Sequence, residues 1–167
     1  MSASTPIDIL KEAILLEKRG RAFYQRVAEQ STHAAVKAFF ETMAGEEARH
    51  IEILESQFAA YVRDQHFEPL AVQDQQNQPA DQLVLSDELK TQIAAADFEA
   101  AAISAAMLME ERAIALYGQR AEKAQEPDEA TLYRWLAGWE RGHLSYLARL
   151  DRDIKESIWN DQQFWPF

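Results

Sequence analysis

The residues best equipped for chemistry are two copies of Glu-x-x-His, Glu47 with His50 and Glu140 with His143. On a helix this spacing sets carboxylate and imidazole on one face, about 5–6 Å apart at Cβ, close enough to share a metal ion. A further carboxylate recurs with each copy, because Glu17 stands 33 residues before His50 and Glu110 stands 33 before His143. A single Glu-x-x-His in a Glu-rich helical protein is usually a surface pair. With 18 glutamates in 167 positions, Glu at both −3 and −33 from both histidines has a chance probability of roughly 10⁻⁴.

The recurrence belongs to a longer internal repeat. Adding 93 to a residue number in the first half carries Ala13 to Ala106, Leu15 to Leu108, Arg19 to Arg112, Tyr24 to Tyr117, Ala28 to Ala121 and Leu54 to Leu147, without a gap. The same offset takes Glu17 to Glu110, Glu47 to Glu140 and His50 to His143. It also separates neighbours, since Glu46 falls on Trp139 and Glu111 on Lys18, which leaves both outside the repeated set. Each half therefore offers the same three candidate ligands, one Glu from one helix and Glu-x-x-His from another, an arrangement that builds carboxylate-rich two-metal sites inside helical bundles. Glu47 and Glu140 are expected to bridge the two ions.

Four carboxylates and two imidazoles supply oxygen and nitrogen donors whose four negative charges balance two divalent ions, which suits iron or manganese, with zinc as a substitute. Cysteine is absent, so thiolate sites and Cys-ligated iron centres are excluded. Without metal, four inward carboxylates would repel one another or take up protons. Tyr24 and Tyr117 each lie two turns after a ligand Glu on the same face, where they could donate protons or electrons near the metals; ordinary packing with a hydrogen-bonded hydroxyl is the plainer alternative. His33 and His66 fall outside the repeated set and read as structural or surface residues.

These residues need four helices to position them. Ser4-Thr5-Pro6 followed by Asp8 opens a helix over about 6–30, with Leu10, Ile14, Tyr24, Val27 and Ala28 on its apolar stripe and Glu17 among them. A second helix is expected over about 32–64, with Val36, Phe39, Phe40, Met43, Leu54, Phe58 and Tyr61 facing in. Residues 66–85 are polar, Gln-rich and carry Pro69 and Pro79, which predicts a long crossover. Helices over about 87–123 and 127–158 follow, opened by Ser86-Asp87-Glu88 and by Pro127-Asp128-Glu129. Short links within each pair and a long one between them predict an all-α, ferritin-like four-helix bundle of two pseudo-symmetric hairpins, with residues 1–167 forming one domain. The end, 159–167, is aromatic and is expected to fold back on the bundle or to pack on another subunit.

A net charge of −11 argues against nucleic acid as a partner. No basic start followed by an apolar core marks the N-terminus, so a cytoplasmic location is expected. The most apolar stretch, 93–109, is Ala-rich and contains Asp97 and Glu99, so it reads as a bundle helix and no membrane association is expected.

With these motifs in place, the sequence resembles the rubrerythrin-like branch of the ferritin-like di-iron proteins over nearly all of the chain outside the crossover and the aromatic end. The resemblance places Glu17, Glu47, His50, Glu110, Glu140 and His143 at that branch's iron-ligand positions, with Glu47 and Glu140 as bridges. It implies dioxygen or peroxide chemistry at a carboxylate-bridged di-iron centre. Two departures stand out: no cysteine-rich rubredoxin domain accompanies the bundle, so an electron donor is expected to be a separate protein, and Ala113 stands where rubrerythrins carry an additional Glu one turn after the ligand Glu110.

Three functions compete on this sequence. The leading one is an oxidoreductase reducing peroxide or dioxygen with external electrons. The second is a ferroxidase or iron-storage protein, for which Fe(II) is the substrate. The third is a non-catalytic, metal-stabilised interaction module. A homo-oligomer such as a dimer is expected, and the long crossover would permit hairpin exchange between subunits.

Overall fold

The computed structural model describes residues 5–71, 86–94 and 97–161, and every regular element among them is a helix. Helices α1 (Pro6–Gln30) and α2 (Ala34–Asp64) form one hairpin. Helices α4 (Asp97–Lys123) and α5 (Pro127–Asp161) form the other, and the short α3 (Asp87–Ala94) rests on α5, α2 and α4. The architecture is the all-α bundle expected from the repeat. The segment expected as one helix over 87–123 is described as α3 and α4, with 95–96 outside the described residues. The crossover is described only as far as 71. Trp159, assigned to the aromatic end, lies on α5, and 162–167 fall outside the described residues.

Local chemistry sets the helix ends. The Thr5 hydroxyl accepts from the Asp8 amide at 3.2 Å while the Asp8 carboxylate accepts from the Thr5 amide at 3.1 Å, a reciprocal cap that satisfies two otherwise orphaned donors. Helix α2 begins two residues later than the sequence suggests, because His33 is extended and serves as its N-cap. It ends at Gln65, whose φ of 59° lies in the left-handed region usually taken by glycine. Beyond it the chain is tied to the opposite hairpin: the Glu126 carboxylate accepts from the Phe67 amide and contacts His66 Nδ1, both at 3.2 Å. Glu129, buried at the start of α5, accepts from Arg120 Nε at 2.6 Å and from the Gln125 amide at 3.2 Å, locking the turn between α4 and α5.

The core is divided along the bundle axis. One apolar cluster gathers Tyr24, Val27, Phe40, Met43, Ile103, Leu147 and Leu150; the other gathers Leu10, Leu54, Tyr117, Leu132, Tyr133 and Leu136. Read along each helix, the candidate ligands fall between the two: Glu17 between Leu10 and Tyr24, His50 between Met43 and Leu54, Glu110 between Ile103 and Tyr117, and Glu140 between Leu136 and Leu147. Burial of each such large side chain contributes about 1.5–3 kcal/mol, so apolar layers above and below hold a polar layer at mid-bundle. Among the described residues no single helix is long and apolar enough to cross a membrane.

Candidate metal centre

The six residues singled out by the repeat converge in that middle layer, and none is more than 4% exposed. Two overlapping groups form. Glu17, Glu47, His50 and Glu140 make one, and Glu47, Glu110, Glu140 and His143 make the other, with one donor atom from each residue lying within 4.8 Å of all the rest of its group. Glu47 and Glu140 belong to both. His50 Nδ1 lies 3.0 Å from Glu140 Oε1 and 3.2 Å from Glu17 Oε2. His143 Nδ1 lies 3.1 Å from Glu140 Oε2 and 3.6 Å from both Glu47 Oε1 and Glu110 Oε1. Both imidazoles thus turn Nδ1 toward the carboxylates and Nε2 away from them.

Without an ion, protons redistribute to relieve the charge. Burial pushes the Glu47 carboxyl well above its ordinary range, and repulsion from Glu17 and Glu140 adds to the effect. Burial and Glu140 lift Glu110 to about 7, with His143 opposing. Burial disfavours the His50 cation, yet Glu140 and Glu17 outweigh it and raise that group to about 9. His143 is raised well above its ordinary value, again against burial, by Glu110, Glu140 and Glu46. Burial works against Glu140 as well, but the imidazoles on either side hold it far below the usual carboxylate range. Burial and mutual repulsion favour protons on Glu47 and Glu110, and a pair of cations would neutralise the same charge.

The two tyrosines cross between halves. Tyr24 donates to Glu110 Oε1 and Tyr117 donates to Glu17 Oε1, each reaching the candidate ligand of the other hairpin. Burial, then the neighbouring carboxylates, raise both phenols far above their ordinary range, so both stay protonated donors. A cavity of about 20 Å³ adjoins the cluster, lined by Glu17, Glu47, Glu110 and Glu140 but by neither histidine. Its remaining wall includes two pairs related by the offset, Leu16 with Met109 and Gly20 with Ala113. A Cβ on Gly20 would sit 3.3 Å from Glu47 Oε2, so glycine lets that carboxylate lie against α1. Ala113 presents only a methyl group where the family resemblance would set another carboxylate.

A buried acid outside the repeated set adjoins the cluster. Glu46 is 6% exposed and its Oε2 is hydrogen-bonded to His143 Nε2, the ring nitrogen facing away from the cluster. The Trp139 indole also donates to Glu46 Oε2, at 3.4 Å. The repeat does not reveal this acid because its counterpart is a tryptophan; the available signal is its i,i+4 spacing to His50, which places it on the inward stripe of α2.

The donor chemistry fits a pair of metal ions. Four buried carboxylates and two Nδ1 atoms converge, and Glu140 Oε1 has no hydrogen bond of good geometry among the described residues although His50 lies beside it. Glu17 and His50 would hold one ion, Glu110 and His143 the other, and Glu47 and Glu140 both. Fold and cluster together define the class, a ferritin-like helical bundle with a buried Glu/His layer suited to two metals. A rubrerythrin family model matches residues 8–151, and the chain belongs to that family. No curated protein and no solved structure matches it.

Proposed function

We propose that this protein is a di-iron oxidoreductase that reduces peroxide or dioxygen with electrons from a separate donor protein. The observation carrying this reading is the pair of half-sites sharing Glu47 and Glu140 beside a cavity that admits little more than one water-sized molecule. Iron held there would supply the electron-transfer chemistry. Reduction of peroxide to two waters consumes two electrons and two protons. Tyr24 and Tyr117 hold their hydroxyl protons at Glu110 Oε1 and Glu17 Oε1, on the carboxylates that line the cavity. The small volume favours a molecule the size of peroxide or dioxygen over larger organic molecules, and Leu16 and Met109 give the wall an apolar part.

The test is peroxide consumption by anaerobically reconstituted, iron-loaded protein, compared with a Glu47→Ala, Glu140→Ala double variant carried through the same procedure. Faster consumption by the unsubstituted protein supports the reading, and equal rates overturn it. Iron uptake discriminates the storage alternative: saturation at two ions per chain agrees with a resident centre, whereas continued loading far beyond two points to Fe(II) as substrate.

A further inference from the structure

We infer that the two metal positions are unequal, and that the one built by Glu110 and His143 binds its ion first and more tightly because Glu46 supports His143 from behind. The inference rests on the two-metal reading of the cluster and concerns what lies outside the ligands. Nδ1 of both histidines faces the carboxylates, so Nε2 is the nitrogen free to be supported. At His143 that support is the Glu46 carboxylate, itself steadied by the Trp139 indole. At His50, Nε2 is buried and has no hydrogen-bond partner among the described residues. Trp135 and Trp139 stand edge-to-face against the His50 ring, at 5.6 Å between centroids in both cases.

The asymmetry follows from one position of the repeat. Glu46 and Trp139 are counterparts under the offset of 93, so Glu46 reaches across the bundle to the histidine of the other half, while Trp139 stands against the first half's histidine. An imidazole whose outer N–H is held by a carboxylate has its tautomer and ring plane fixed with the Nδ1 lone pair aimed inward, and it is a stronger donor. The direct contact of Glu46 is with His143. Removing such outer support typically weakens metal binding 10–100-fold, so the two positions are expected to differ by at least about tenfold.

Titration of the metal-free protein with Co(II), followed by calorimetry and by visible absorption, tests this without reference to activity. Two steps are expected, the first at least about tenfold tighter. His143→Ala should remove the tight step, and His50→Ala should remove the weak one. Glu46→Gln keeps the volume but not the charge, so it should bring the tight step toward the weak one while helical content is retained. Two equal steps, loss of the tight step in His50→Ala, or an unchanged tight step in folded Glu46→Gln would overturn the inference and leave the two-metal reading standing. Binding no tighter than that of the Glu47→Ala, Glu140→Ala variant would overturn both.

Discussion

Tyr24 of the first hairpin donates its hydroxyl hydrogen to Glu110 of the second, and Tyr117 of the second returns the same bond to Glu17 of the first. Each bond is buried and ends on an ionisable acceptor, a class of hydrogen bond that contributes about 1.5–3 kcal/mol. Tyr24→Phe and Tyr117→Phe are each expected to lower the stability of the metal-free protein by about that amount, read by urea denaturation. An unchanged midpoint in both would show that the hydroxyls only fill space.

The sharing of Glu47 and Glu140 makes stoichiometry informative. Glu17 belongs to one donor group and Glu47 to both. Equilibrium dialysis against Co(II) with metal analysis is expected to find one ion retained per chain in Glu17→Gln, and both ions weakened in Glu47→Gln. One tight ion in each variant would show that Glu47 does not bridge.

The metal-free protein should lose stability as pH rises. Glu110, at about 7, and His50, at about 9, both lie above their ordinary values of 4.5 and 6.5. A group raised in this way supports the folded state fully below its unfolded value and loses that support as pH climbs through its folded value. The window therefore runs from about 4.5 to about 9, with an effect on the order of a few kcal/mol. Glu140 acts in the opposite sense, and its support is lost only in acid. Melting temperatures at pH 5, 7 and 9 should fall steadily for metal-free protein and stay nearly level with Co(II) bound, because the ions replace the protons.

Arg120 and Glu129 pair where little solvent reaches, with Nη2 to Oε1 at 2.5 Å. Arg120→Met leaves the Glu129 carboxylate buried without its cation, at an expected cost of about 3–5 kcal/mol in denaturant unfolding. Restoration of most of that loss by adding Glu129→Gln would identify the orphaned charge as the cause.

Much of this architecture is legible in the chain because the internal repeat prints it twice. Glu17, Glu47 and His50 are ambiguous alone, but their images at Glu110, Glu140 and His143 single them out, and all six lie in one buried layer. The starts of the first and last helices follow from Thr5, Pro6 and Pro127, whose local chemistry acts within a few residues. What depends on the opposite hairpin is harder to read. Two turns along α1 put Tyr24 on the face of Glu17, yet only packing across the bundle decides that its hydroxyl meets Glu110. Glu46 escapes for a related reason, since a search for matched pairs discards an acid whose mate differs.

That mismatch is a freedom that a symmetric pair of separate hairpins would lack. Two identical hairpins assembled about a twofold axis would present the same residue behind both histidines, and any substitution there would change both ion positions at once. Joined in a single polypeptide, the halves can diverge independently. Position 46 carries an acid and position 139 an indole, so a single chain of this kind would be able to distinguish one ion from the other while still sharing Glu47 and Glu140 between them.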